Sequence, residues 1–180
     1  MELKLQWEGA HLAAFKRTDK ALFRALSKSG GDAIRSARVE SSRSIRARKR
    51  FKVARVNKAL RLTFPKGVRQ IDGLVWRMDV KGGLVPVADF PHKQTRGGVS
   101  VIINTGKRVL IKGAFEATMR SGHVGVFMRK GQGRLPIKEL FTTKVVDVFQ
   151  DKGFVPSVWA KAQATFASSF ARLLPLELKK

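Results

Sequence analysis

The sequence predicts an α+β fold, on three observations. Apolar residues recur at helical spacing through the first third of the chain, the pattern turns to alternation from Gly73, and helical spacing returns near the C-terminus. Helices, then strands, then a helix, without βαβ alternation, describe N-terminal helices, a central mostly antiparallel sheet and a C-terminal helix packed on that sheet. The expected layout of the 180 residues is a single domain: a helical, strongly basic region over 9–64, a sheet over 73–141 and the last helix over 156–174.

Leu12, Phe15, Leu22, Phe23 and Leu26 alternate with Lys and Arg at helical spacing, which predicts an amphipathic helix over 9–28. Ser29-Gly30-Gly31 predicts a break. Glycine supplies the left-handed conformation that closes a helix, and Asp32 can accept from the open amides of the next one. Ala33, Ile34, Ala37, Ile45, Val53, Val56 and Leu60 then carry a thin apolar stripe to Pro65-Lys66-Gly67, where the helix should stop. Unbroken, it would reach about 45 Å at 1.5 Å per residue, longer than a small domain is wide, so a bend near Arg50 or a projecting arm is expected.

Leu74, Trp76, Met78 and Val80 point one way and Val75, Arg77 and Asp79 the other, the pattern of a half-buried strand. Residues 84–90 resemble a second strand, which Pro86 confines to a sheet edge because it cannot donate to a ladder. Val99 to Ile103 and Arg108 to Lys112 flank Asn104-Thr105-Gly106-Lys107, a hairpin turn. The segment Pro91 to Gly98 reads as a mobile loop, and Val124, Val126 and Met128 alternate after the Ser121-Gly122 turn. Trp159, Ala162, Phe166, Phe170 and Leu173 form the stripe of the last helix, capped by Ser157 and ended before Pro175.

At 43% hydrophobic residues the chain can bury an ordinary core, which excludes a disordered basic tail. No apolar run approaches the roughly 18–20 residues of a membrane span, and Met1-Glu2-Leu3-Lys4 does not open a secretory signal, so a soluble protein with no membrane partner is expected. The absence of cysteine excludes disulfides, thiolate metal sites and cysteine nucleophiles.

Charge is the dominant feature: 37 Lys and Arg against 13 Asp and Glu, a net +24. Like charges on a compact body repel, so the excess implies a partner with negative charge: nucleic acid, an acidic protein surface or an anionic membrane. Thirteen of the cations fall between Arg35 and Arg69, with Glu40 as the one acid among them. A looser basic region holds Lys107, Arg108, Lys112, Arg120, Arg129, Lys130 and Arg134 against Glu116.

Catalytic and metal chemistry find little support. His11, His92 and His123 are far apart and read as surface or structural residues. Gly131-Gln132-Gly133 lacks the third glycine and the helix of a dinucleotide loop, and Thr105-Gly106-Lys107 lacks the upstream glycine of a phosphate loop; both read as turns. Asp79, Asp89, Glu116 and Asp147, among so many cations, read as ionised salt-bridge partners. The expectation is no enzyme, no metal and no cofactor. The basic helix could neutralise phosphates without reading sequence, or dock on acidic subunits. The absence of tyrosine argues against stacking platforms for single strands.

From Ile111 onward a longer pattern emerges: Ile111, Gly113-Ala114-Phe115, Gly122-His123-Val124, Phe127, Arg129, a glycine turn, and Arg134-Leu135-Pro136-Ile137. It resembles the minor tail protein Z family of tailed bacteriophages. The N-terminal half is also similar, with a helical region rich in Ala and Ser that runs into a dense basic stretch from Ser44 to Arg61. The resemblance implies a tail completion protein, a virion component at the head-proximal end of the tail, assembled in the host cytoplasm. It further implies a hexameric ring of this chain around the DNA channel, next to tail tube, tail terminator or connector proteins, that aids head–tail joining and placement of the genomic DNA. Gly113-Ala114-Phe115 is then a structural corner packed by Phe115.

Electrostatic arithmetic constrains that picture. A 180-residue domain is roughly 40 Å across, and duplex DNA at one charge per 1.7 Å offers about 24 phosphates over that length. Six chains of +24 would carry about +144. DNA in the lumen could balance little more than one subunit, so most cations must face acidic protein or solvent ions. The expected contact set for DNA or an acidic partner is Arg43, Arg46, Arg48, Lys49, Arg50, Lys52 and Arg55. The alternative function is a free sequence-independent nucleic-acid-binding protein.

Overall fold

The computed structural model describes residues 2–6, 19–68 and 71–179. The class is α+β, with helices toward both ends and antiparallel sheets. The chain divides into two compact units, each discontinuous in sequence. One is drawn from Met1–Ser42, Leu60–Lys81 and Phe149–Lys180, the other from Arg43–Ala59 and Gly82–Val148.

The first unit holds helix α1 (Asp19–Arg48) as far as Ser42, strands β1 (Glu2–Gln6), β2 (Leu60–Thr63) and β3 (Val75–Val80), and helix α3 (Phe154–Leu178). The sheet order is β1-β3-β2, antiparallel throughout, with Leu5 opposite Trp76 and Leu62 opposite Met78. Trp76, Met78 and Val80 are buried while their neighbours are half-buried, as the alternation predicts. Leu22, Leu26, Ile34 and Ala37 of α1 and Phe154, Val158 and Ala162 of α3 complete this core. The C-terminal helix packs on the sheet side of the unit, where Leu173 and Trp76 line a common cavity.

The predicted break at Ser29-Gly30-Gly31 does not occur: α1 runs through it. The glycine serves close packing. A Cβ on Gly30 would stand 2.4 Å from the Trp76 indole, so this helix can approach β3 only where the side chain is missing. Leu12 and Phe15, offered for the first helical stripe, and Arg69 lie outside the described residues.

The helix expected to reach Pro65 ends sooner. After α1 stops at Arg48, helix α2 covers Val53–Ala59, and Leu60–Thr63 is strand β2, because Leu60, 1% exposed, gains sheet pairing with Val80. The bend near Arg50 is present, made by Phe51 turning into the interior against Phe90, ring centroids 5.3 Å apart. At the other end α3 starts after Gly153, which takes the left-handed conformation (φ +83°), and Ser157 donates to the Phe154 carbonyl instead of capping. Pro175 lies inside α3 rather than beyond it. The last turn is held from outside: the Glu177 carboxylate, 2% exposed, accepts Lys28 Nζ of α1 at 2.6 Å.

The second unit holds the end of α1, α2 and strands β4 (Leu84–Pro86), β5 (His92–Thr95), β6 (Gly98–Val101), β7 (Val109–Lys112), β8 (Ala114–Thr118), β9 (Val124–Arg129), β10 (Ile137–Glu139) and β11 (Phe141–Lys144). They form sheets β11-β4, β5-β6-β7 and β10-β9-β8, all antiparallel. The β6–β7 hairpin and the edge position of β4 match the sequence reading; β4 is short, and Val87–Asp89 follows as a 3-10 turn. Pro91 to Gly98 is not a loop. Its residues form β5 on β6, closed by Thr95 Oγ1 donating to the Gly98 carbonyl at 2.8 Å. Strand β9 does not alternate as expected: Gly125, Val126 and Phe127 are buried while Val124 and Met128 are exposed. Ile45, Val56, Val85, Val99, Val101, Val126 and Val145 build this core. Among the described residues no helix is long and apolar enough to cross a membrane.

Alanine at the two adjacent helical glycines should act in opposite directions. Gly31→Ala meets the flexible Arg35 guanidinium at 3.4 Å and the Phe64 ring edge at an ordinary 3.9 Å, and should gain roughly 0.5–1 kcal/mol from helix propensity. Gly30→Ala drives a methyl into the indole and should lose roughly 1–3 kcal/mol. Urea unfolding of the two variants checks the pair.

Candidate anion-binding surface

The seven expected contact residues all fall in the second unit, on the elbow between α1 and α2. Ile45 is fully buried on the inner side of α1, which leaves Arg43, Arg46 and Arg48 exposed. Arg46 and Arg48 occupy the last turn, where unpaired carbonyls and the negative end of the helix dipole favour cations by about 0.3–1 kcal/mol each. Lys49 and Arg50 form the connector, Lys52 precedes α2, and Arg55 lies within it.

Main-chain bonds fix the elbow's shape. Lys49 bridges Asn104, Arg50 N–H donates to the Ile103 carbonyl at 2.9 Å, and Thr105 N–H donates to the Arg48 carbonyl at 3.0 Å. The Asn104–Lys107 turn therefore docks on the end of α1 and carries exposed Lys107 and Arg108 to the elbow. Two basic stretches that are separate in sequence meet here, which sequence reasoning missed because the contact is long-range backbone pairing.

Part of the charge is balanced internally. Lys52 Nζ donates to Asp89 Oδ1 at 3.1 Å and Arg55 Nη2 to Asp89 Oδ2. Burial alone would raise the Asp89 pKa, but the hydrogen bonds from Lys52 and Arg55, with their charges, outweigh it and hold the carboxyl below its ordinary value. Asp89 ends the Val87–Asp89 turn beside Phe90, so the Phe51–Phe90 contact places the carboxylate against the elbow. Lys49 Nζ donates to Thr143 Oγ1 at 2.8 Å, and that hydroxyl donates to Asp147 Oδ2 at 2.8 Å. The Lys144 N–H and the Thr143 hydroxyl lower the Asp147 pKa, assisted by the charges of Lys49 and Lys144. Lys49, Lys52 and Arg55 thus hold the unit together as well as charging its surface.

The residues of the longer pattern build sheet β10-β9-β8 and its turns. Ile111 pairs with Val99 in β7, and Gly113 (φ +71°) joins β7 to β8 with its N–H donated to the Gly97 carbonyl at 3.1 Å. Ala114 is buried, and Phe115 packs on Phe127 at 6.3 Å with the Arg129 guanidinium 5.8 Å from its ring centre. Gly122 (φ +78°) closes the Met119–His123 turn, and His123 Nε2 donates to Glu139 Oε1 at 2.9 Å. Val124 and Arg134 are exposed, the Pro136 carbonyl accepts the Lys130 N–H at 3.0 Å, and Ile137 pairs with Arg129. Among the described residues no three His, Cys, Asp or Glu side chains gather to hold a metal ion.

Comparison with protein-family models, with curated proteins and with solved structures finds no match for this chain.

The Asp89 ion pairs give a pH signature. A folded-state pKa below the ordinary 3.8 means their contribution is complete above that value and is lost as pH falls through the lowered pKa. Asp89→Asn should be less stable than the parent at pH 7 by about 0.2–1 kcal/mol per pair, since the Lys52 and Arg55 side chains are 62% and 42% exposed. The difference should shrink and then vanish as pH falls from 3.8 through the lowered pKa, as read by urea unfolding at pH 7 and along an acid series.

Proposed function

We propose that this chain is a non-enzymatic structural protein of a bacteriophage tail or neck. In the proposed role it completes the tail at its head-proximal end as a subunit of a ring around the DNA channel. The observation that carries this is the elbow: Arg43, Arg46, Arg48 and Arg50 are exposed on it, and the docked Asn104–Lys107 turn brings exposed Lys107 and Arg108 to the same place. A surface of this kind is built to receive phosphates or carboxylates from outside. The pattern from Ile111 to Ile137 supports the tail setting, and the charge arithmetic makes an acidic tail or connector ring the larger partner, with DNA taking a minor share. Cations spread over a helix end and a turn suit a partner whose charge is repetitive, not one read base by base.

Replacing all seven cations by Gln should leave the unit folded, at a cost of about 1 kcal/mol for each ion pair lost, and should stop incorporation of the chain into particles or the joining of heads to tails. Particles that stay fully infectious would overturn the proposal. Duplex binding by the isolated protein separates the rival function. A free nucleic-acid-binding protein binds short duplexes with a log–log salt slope of about −0.9 per phosphate contacted, and Arg46→Gln with Arg48→Gln flattens it by about 2. A tail subunit acts only in the assembled particle.

A further inference from the structure

Apart from the elbow, the second unit carries a groove of about 660 Å³ along the β5–β6 turn, the start of β8 and the β9–β10 turn. That volume lies within the roughly 300–1,000 Å³ of small-molecule sites. Arg96 and Arg129 line it, and no carboxylate does. The cavity of the first unit differs: its Lys28 and Arg35 are already paired with Glu177 and Asp32. Phe115 gives the groove a half-buried aromatic face with the Arg129 guanidinium over it. Gln94 is committed to the Glu116 N–H at 2.9 Å, which leaves the exposed Gln132 carboxamide as the adaptable polar group.

The glycines on the rim fall into two kinds. Gly98 and Gly113 are required by the backbone, with φ of +147° and +71° and, at Gly98, the Ile111 carbonyl oxygen 2.1 Å from any Cβ. Gly97 and Gly131 are not: neither has a positive φ, and a Cβ on either meets no protein atom within 4 Å. Nothing inside the chain asks for a missing side chain at these two positions. What it achieves is bare main chain at the mouth of a cationic groove, the arrangement that lets a ligand approach backbone closely.

We infer that this groove binds a nucleoside phosphate, its phosphate between Arg96 and Arg129 and its base against the Phe115–Arg129 face. Guanidinium groups suit phosphate because their N–H edges match its oxygens, and the plane of Arg129 offers a base a second flat surface. The same chemistry has two sources, a mononucleotide or an unpaired nucleotide of a DNA strand. The inference does not depend on the role proposed for the elbow.

Calorimetric titration of the full chain with deoxyadenosine monophosphate, deoxyadenosine, inorganic phosphate and an oligothymidylate tests it. The expected result is one mononucleotide per chain, with phosphate and deoxyadenosine each weaker. Gly131→Val fills the groove without changing charge and should weaken the mononucleotide at least about tenfold, as should Gly97→Val; Arg129→Gln should cost about 10–100-fold through a lost charge-assisted hydrogen bond. Melting curves establish that each variant is folded, and with three variants the test survives the failure of one. Oligothymidylate binding that falls with the mononucleotide in Gly131→Val supports the site and assigns the strand as a source; an oligonucleotide that the groove excludes supports the mononucleotide. Mononucleotide binding that ignores the folded groove variants but is lost in Arg46→Gln with Arg48→Gln would overturn the inference, as would no binding up to about 10 mM.

Discussion

With 37 cations and 13 carboxylates, 24 positive charges have no opposite number within the chain, and their mutual repulsion opposes compaction at every stage. The fold meets this with two apolar cores rather than with ion pairs. Residues such as Ile34, Met78 and Phe154 in one unit and Ile45, Val99 and Val126 in the other are shielded from solvent, while most Lys and Arg remain in water. Removing apolar surface from water contributes about 25 cal/mol per Å², whereas exposed pairs contribute little.

The few acids are placed where they restrain geometry. Glu177 is buried near the end of α3 and receives Lys28, Asp147 ties Thr143 to the residues after β11, and Asp89 draws α2 toward its own turn. Glu177 and Asp89 join elements far apart in sequence, and Asp147 does so through Thr143, whose hydroxyl accepts Lys49 Nζ. The outer side of α1 carries exposed Arg43 and Arg46. Neutralisation is thus used to fix the scaffold, and the remaining charge is carried as surface potential.

Much of this was readable from spacing. The switch of period at Gly73, the strand through Trp76, Met78 and Val80, the hairpin around Asn104–Lys107 and the bend near Arg50 all follow from local pattern and chain length. What escaped depends on distant partners. Gly30 resembles a helix stop until Trp76 is seen against it. Leu60–Thr63 is too short for period to separate strand from helix. The β5 residues His92-Lys93-Gln94-Thr95 have no apolar alternation, because they are held by main-chain bonds to β6 and lie mostly in solvent. The cations of the elbow were visible as a list, but the pairing of Lys52 and Arg55 with Asp89 and of Lys49 with Thr143 was not, since both acceptors lie tens of residues away.

The interleaved path of the chain also sets an order of assembly. Every segment of the second unit has been synthesised by Val148, but the first unit lacks α3 until Phe154–Leu178 has followed. During translation β3 therefore waits with Trp76 paired to its sheet neighbours but without its C-terminal cover. A chain cut off after residue 148 would hold one body with all its segments and one lacking α3, with apolar surface that a chaperone could recognise.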